Sequence, residues 1–132
     1  MKMNNDYTFI RHGQTYWNKN GIMHGQFDIP LNYTGIKQAK ELAIELKNEH
    51  YDLCLCSPLE RAKSTAFRIL LHHKNTKIFY DRRLMEINKG LLEGKNLNSE
   101  KLLKSEDNKF LRKFGIESKN QFFLRVIKTR KF

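Results

Sequence analysis

The sequence has few cysteines, few acidic side chains and no long apolar run. Its 132 residues include two cysteines, and 14 acidic side chains stand against 25 basic ones, which gives a formal net charge of +11. No run approaches the roughly 20 apolar residues that a membrane-spanning helix needs. Residues 1–10 also lack the apolar stretch of a signal peptide. We therefore expect a cytoplasmic protein without a membrane span.

The two cysteines do not suggest a disulfide or a metal site. Cys54 and Cys56 lie two positions apart in an apolar run, a spacing unsuited to a mutual disulfide. Free cysteine is among the most buried residue types, so we expect core thiols. The chain has no clustering of cysteine and histidine of the kind that binds metal. A composition of 39% hydrophobic and 30% charged residues is typical of a globular protein, and we predict one domain over residues 1–132.

The positive charge is unevenly distributed. Residues 1–100 carry 15 basic and 11 acidic side chains, whereas residues 101–132 carry 10 basic and 3 acidic ones. A strongly basic chain attracts anions, and nucleic acid, a protein or a small phosphorylated molecule would each satisfy that charge.

Strand and helix signals alternate along the chain, which has no repeat, low-complexity segment or linker. Thr34 is a candidate cap for the first predicted helix, and Ser57, Pro58 and Glu60 together predict the start of the second. Residues 51–56 are apolar, as expected for a strand covered on both faces. The predicted strands are 7–10, 51–56 and 77–80, and the predicted helices are 34–46, 57–71, 98–114 and 118–130.

This order favours an α/β fold with a mainly parallel sheet flanked by helices. Ligands of such sheets bind at the carboxyl ends of the strands. Arg11 and His12 follow the first predicted strand, Arg61 comes soon after the second, and Glu86 follows the third. We expect these four side chains to form one site.

Together these residue types suit phosphoryl transfer. Two arginines can neutralise a phosphate ester and fix the directions of its oxygens. A neutral His12 could attack phosphorus and form a phosphohistidine that water later hydrolyses. Glu86 is the candidate acid for the leaving oxygen, provided that its surroundings keep it partly protonated. The scheme needs neither a metal nor a cofactor.

Several spaced motifs resemble the histidine phosphatase superfamily, which includes phosphoglycerate mutases and many small-molecule phosphatases. The resemblance covers nearly the whole chain and implies the three-layer phosphoglycerate mutase-like fold. The matching residues are Arg11-His12-Gly13-Gln14-Thr15 with Trp17-Asn18, Gly25 with Asp28 and Leu31, Thr34-Gly35 with Gln38-Ala39, Ser57-Pro58-Leu59 with Arg61-Ala62 and Thr65-Ala66, and Leu84 with Glu86, Gly90, Glu93 and Gly94, followed by the weaker Glu117-Ser118 and Arg125-Val126.

The resemblance implies a role for each site residue. His12 would be the phosphorylated nucleophile and Glu86 the general acid and base, with Glu93 in the same loop as the alternative. The implied substrate-binding residues are Arg11, Asn18, Arg61, His24 and Gly25, although His24 could equally lie on a loop without a role. His72 and His73 are expected to be solvated. Residues 84–94 resemble the phosphatase branches more than the mutases.

One family feature has no counterpart in this sequence. Members have a second catalytic histidine after a later strand, whereas this chain has no histidine after His73. The sequence therefore predicts a C-terminally truncated domain, incomplete in its sheet, with reduced activity. The missing strand would leave residues 7–10 as a sheet edge, and we expect a homo-oligomer formed through that edge or the C-terminal helices.

Three other functions stay open at this point. The chain could bind a phosphorylated ligand without turning it over, or it could be a phosphoglycerate mutase-type phosphotransferase. It could also bind nucleic acid through the basic stretch at Arg125, Lys128, Arg130 and Lys131, although no nucleic-acid-binding motif accompanies that stretch. The preferred interpretation is a phosphatase that acts on a phosphorylated small molecule.

Overall fold

The computed structural model describes residues 7–96 and 107–130. The predicted α/β arrangement with a parallel sheet is confirmed. None of the helices in these two ranges is long and apolar enough to cross a membrane. The elements in chain order are α1 (Tyr16–Lys19), α2 (Tyr33–Glu45), β1 (Leu53–Cys56), α3 (Glu60–Leu70), β2 (Lys77–Tyr80), α4 (Asn108–Phe114) and α5 (Lys119–Ile127), with short 3-10 turns at Arg82–Leu84, Gly90–Leu92 and Lys128–Arg130.

β1 and β2 form a parallel pair in which Leu53 lies opposite Lys77 and Cys56 lies opposite Tyr80. Helix α3 connects the two strands and packs against both β1 and α2. Gly35, Ala39 and Ala43 of α2 are buried. Their spacing of four residues places them on one face of the helix, and their small size lets α3 approach closely.

Two predictions about the strands are wrong. Residues 7–10 are not a strand, and Phe9 is 90% exposed. The first strand of the sheet is not covered on both faces either, because Leu53 and Leu55 are 43% and 36% exposed. Residues 7–10 have no strand partner because, within the described part of the chain, β1 pairs with β2 alone, and Leu53 and Leu55 are exposed because they line a cavity. A cavity lies between β1 and residues 8–10.

The predicted helix caps are also wrong. The N-cap of α2 is Asn32, whose side chain accepts from the backbone N–H of Gly35, and Thr34 lies inside the helix. Helix α3 begins at Glu60, and the Ser57 hydroxyl accepts from the N–H of Leu59 instead of capping the helix. The Glu60 N–H donates to a carboxylate oxygen of Asp28 at 2.7 Å. A side chain from a distant loop therefore serves the first turn of α3.

Other predictions are confirmed or corrected locally. The strand at Lys77–Tyr80 is confirmed, as is the end of α3 near Leu71. The predicted helix 98–114 is confirmed from Asn108 onwards, whereas its earlier part lies outside the described residues. His72 is exposed as expected, but His73 is buried because its ring packs at 5.1 Å from that of Tyr51.

Both cysteines are free thiols, as predicted. Cys56 is buried and Cys54 is half-buried. Burial raises the pKa of both, that of Cys56 to about 12, so these thiols stay protonated and unreactive at neutral pH.

Candidate active site

The structure contains a cavity of about 400 Å³, and the four side chains that were predicted to follow the strands all line it. It lies between residues 8–12 on one side and β1 with the start of α3 on the other. The four side chains that line it are Arg11, His12, Arg61 and Glu86. Residues that are up to 75 positions apart therefore share one concave surface with an imidazole, two guanidinium groups and a carboxylate.

Gly13 and Thr65 fix the loop that carries His12. The N–H of Gly13 donates to the Thr65 hydroxyl at 3.1 Å, and that hydroxyl donates to the carbonyl of Arg61 at 2.8 Å. Gly13 also lies directly against the backbone of Gly35 in α2, where a Cβ on either residue would overlap main-chain atoms. The loop is thus held between the two helices, and the glycines are required by this close approach.

The hydrogen bonding of His12 leaves one ring nitrogen available. Its Nδ1 lies 2.7 Å from the carbonyl oxygen of Gly13, which can only accept, so Nδ1 carries the proton. Nε2 then keeps its lone pair. Burial lowers the pKa of His12, and the charges of Arg61 and Arg11 lower it further, although the hydrogen bond to Gly13 acts in the opposite direction. His12 is therefore neutral at pH 7.

Arg61 is 1% exposed, and backbone carbonyls fix its direction. Its Nη1 donates to Phe27 and its Nη2 donates to Gly25, both at 2.9 Å. A guanidinium has five N–H donors, so these two bonds leave three for a ligand. The burial of this charge lowers the pKa of Arg61, and the negative charge of Glu86 gives the largest effect in the opposite direction.

His24 lies beside the nucleophile candidate. Its ring centroid is 6.3 Å from that of His12 and 5.6 Å from that of Trp17. Its Nε2 is hydrogen-bonded to the hydroxyl of the fully buried Thr15. Burial lowers the pKa of His24 to about 4, and the positive charges of Arg61 and of a protonated His12 add to the effect. A second neutral imidazole therefore borders the site.

Two predicted substrate-binding residues make hydrogen bonds within the fold. Asn18 completes the capping box of α1, where its side-chain oxygen accepts from the backbone N–H of Thr15 at 3.0 Å. Gly25 has φ +51°, and its carbonyl holds Arg61. A Cβ at position 25 would overlap the carboxylate of Glu93. Neither Asn18 nor Gly25 lines the cavity.

The geometry separates the two acidic candidates. Glu86 lines the cavity, whereas Glu93 accepts hydrogen bonds from the backbone N–H groups of Gln26 at 2.8 Å and Lys89 at 3.0 Å. Glu93 therefore joins two loops. Glu86 accepts from the N–H of its neighbour Ile87 at 2.9 Å and also lines the cavity, which a proton donor to a ligand there must reach.

Sequence reasoning missed three residues that hold other groups of the site in place. Thr15 and Thr65 are buried hydroxyls that hold His24 and the His12 loop, and both stand within the matched motifs. Arg125 binds the backbone next to Glu86, yet its only sequence signal was a weak match in a basic stretch. Residues 7–96 and 107–130 contain no group of three or more His, Cys, Asp or Glu side chains placed to hold a metal ion.

Comparison with known proteins gives a family match over almost the whole chain. The model of the histidine phosphatase superfamily (branch 1) matches residues 7–131. The fructose-2,6-bisphosphatase TIGAR of Xenopus tropicalis is 40% identical over 100 residues, which are 73% of this chain and 36% of that protein.

Solved structures with the same fold include a phosphatase and a mutase. A mycobacterial glucosyl-3-phosphoglycerate phosphatase complexed with VO3 matches with a TM-score of 0.77 and 27% identity over 91% of this chain and 62% of its own. A phosphoglycerate mutase from Bacillus anthracis matches with a TM-score of 0.76 and 26% identity over 91% of this chain and 63% of its own. The chain thus spans between about a third and two thirds of the length of these relatives.

Proposed function

Because the chain belongs to the histidine phosphatase superfamily (branch 1), we propose that it hydrolyses a small phosphomonoester through a phosphohistidine on His12. One observation carries the proposal: a neutral imidazole with a free Nε2 shares a cavity with two guanidinium groups and a carboxylate. These groups supply the nucleophile, the anion clamp and the proton donor that the reaction requires.

The reaction takes place in two steps. The Nε2 lone pair of His12 attacks phosphorus and the ester P–O bond breaks, while Glu86 gives its proton to the leaving alkoxide. Water then attacks phosphorus, the P–N bond breaks, and Glu86 takes the proton from that water. Inorganic phosphate leaves and both side chains return to their starting states.

Arg11 and Arg61 bind the phosphoryl oxygens. Arg61 presents its remaining N–H donors in a direction that the carbonyls of Phe27 and Gly25 have already fixed, so little side-chain entropy is lost on binding. Arg11 is exposed at the mouth of the cavity and adds the second charge. His24 does not line the cavity, and it acts through its contacts with His12 and Thr15. Asn18 and Gly25 act through the shape of the loop.

The phosphate acceptor is water, as in the phosphatase branches that residues 84–94 resemble.

The test uses an aryl phosphate, p-nitrophenyl phosphate, with His12→Ala as the paired variant. We expect phosphate release that His12→Ala abolishes, together with an acid-labile, base-stable phosphoryl adduct on the parent chain alone. His50→Ala is the matched control because His50 is exposed and does not line the cavity. Equal release by parent and His12→Ala would leave a phospho-ligand binding protein, and phosphate transfer to an added alcohol in preference to water would indicate a mutase-type enzyme.

We propose a phosphorylated small molecule as the partner, since the reaction consumes a phosphomonoester. We propose the cytoplasm as the location. We also propose that two copies associate through the exposed strand β1. Nucleic acid is disfavoured, because Arg125 of the basic stretch is bound to Glu117 and to backbone carbonyls.

A further inference from the structure

The hydrogen bonds of Arg125 point to a role in the active site. We propose that Arg125 is a positioning residue that holds the segment 83–86 in place and so fixes the direction of Glu86. The inference rests on the proposed function, in which Glu86 moves the proton.

Arg125 binds the backbone immediately before and at Glu86. Its Nη1 donates to the carbonyls of Arg83 and Met85, each at 2.7 Å, and its Nη2 donates to the carbonyl of Glu86 at 2.9 Å. Three carbonyls within four residues thus converge on one guanidinium. Residues 85–89 belong to no helix or strand, so no regular hydrogen-bond ladder fixes this backbone.

The guanidinium is itself held from the other side. Glu117 accepts from Nε at 2.6 Å and from Nη2 at 2.8 Å, which is a two-point contact with one carboxylate. The ring of Phe122 lies 4.8 Å from the guanidinium carbon. Arg125 and Phe122 both lie on α5, so this helix positions the guanidinium that binds the segment 83–86. Phe122 also lines the cavity.

Glu117 extends the support beyond Glu86. Its Oε2 accepts from the N–H of Asn88 at 3.0 Å, and its own N–H donates to the carbonyl of Asn88 at 2.9 Å. The hydrogen bond from Arg125 lowers the pKa of Glu117, so the carboxylate stays charged at neutral pH. The backbone is therefore fixed on both sides of Glu86, by Arg125 before it and by Glu117 after it.

Only an arginine suits this position. The contacts use Nε, Nη1 and Nη2 at once, and a lysine ammonium presents its donors around a single atom. The side chain of Glu86 is exposed, and its carboxylate accepts from the backbone N–H of Ile87 at 2.9 Å, so its direction depends on the backbone of this segment. A displacement of about 1 Å at a reacting group can cost about 100-fold in rate.

The experiment replaces Arg125 by lysine, with Arg112→Lys as the matched control because Arg112 is exposed on α4. With p-nitrophenyl phosphate we expect Arg125→Lys to lower kcat by about 10- to 100-fold while KM changes by less than about threefold. In the Glu86→Gln background the same substitution should have no further effect, since the residue acts through Glu86. An undiminished kcat, or an equal loss in both backgrounds, overturns the proposal.

Hydrogen exchange separates this proposal from the proposed function because it needs no turnover. We expect the amides of residues 83–88 to exchange at least about tenfold faster in Arg125→Lys, while those of α2 and α3 are unchanged. Equal exchange in residues 83–88 overturns the proposal even if the chain is active. A parent chain without turnover overturns the proposed function, and exchange then decides alone whether Arg125 holds the segment. If Arg125→Lys does not fold, Glu117→Gln takes its place, with the same loss of exchange protection expected.

Discussion

Arg61 and His12 show how backbone carbonyls prepare single side chains for chemistry. The carbonyl of Gly13 fixes the tautomer of His12, and the carbonyls of Phe27 and Gly25 fix the direction of Arg61. A side chain that is held before the ligand arrives loses less entropy on binding. Residues 13–27 therefore orient these two side chains through their main-chain carbonyls.

His24 should make stability depend on pH. Its pKa is about 4 in the folded chain and about 6.5 when unfolded. Between these values the unfolded state binds a proton that the folded state does not, so the free energy of unfolding should fall as pH decreases from 6.5 towards 4. Urea unfolding of the parent and of His24→Gln at several pH values measures this.

The variant should lose this pH dependence, and its stability curve should be flatter than that of the parent over the same range. His72→Gln is the matched control because His72 is exposed. Parallel curves for the parent and His24→Gln between pH 6.5 and 4 would contradict the assignment.

Helix α3 begins where a distant carboxylate supports it. The local signal at Ser57, Pro58 and Glu60 predicts a start three residues earlier, yet the structure has no side-chain cap from the N-cap residue itself. Asp28 accepts from the Glu60 N–H instead and joins the 25–31 loop to this helix. Because Arg61 is in the same first turn, this contact also sets the position of the clamp.

Loss of the Asp28 carboxylate should destabilise the fold. An N-terminal helix contact of this kind contributes about 1 kcal/mol. We expect Asp28→Ala to lower the free energy of unfolding in urea by about that amount, and Asp28→Asn to recover part of it, since the amide oxygen can still accept. Asp52→Ala is the control because Asp52 is exposed and its pair with His50 lies on the surface. A loss no larger than that of Asp52→Ala would show that the contact contributes nothing.

Strand β1 has one edge without a paired strand in the described part of the chain. Parallel strands are usually covered on both faces, and an open strand edge is a template for pairing with another chain. Here the cavity separates β1 from residues 8–10, and Leu53 and Leu55 remain exposed. The net charge of +11 on each copy opposes such pairing, because two copies with the same charge repel each other.

We expect concentration-dependent self-association that strengthens with salt, since salt screens the repulsion between like-charged copies. Light scattering at micromolar concentration measures the particle mass. Leu55→Lys should weaken association by placing a charge at the edge, whereas Leu71→Lys, on an exposed residue at the end of α3, should not. A particle that stays monomeric at all salt concentrations would exclude association through β1.

The amino-acid sequence is sufficient to predict the α/β order, the strand at Lys77–Tyr80 and four charged or titratable residues that line the cavity. Residue type and hydrophobic period are local properties, and residues that follow parallel strands meet at one end of the sheet. Those rules bring Arg11, His12, Arg61 and Glu86 together without knowledge of any contact.

The tertiary structure decides which partner each polar group takes. Asp28 supports a helix 32 positions away, His73 is buried against Tyr51, and Arg125 binds carbonyls about 40 positions away. Residues 7–10 have the composition of a strand, but a strand exists only where a neighbour pairs with it. Burial and hydrogen bonding depend on groups that are distant in sequence, and local patterns therefore predict the elements and the chemistry but not the contacts that hold them.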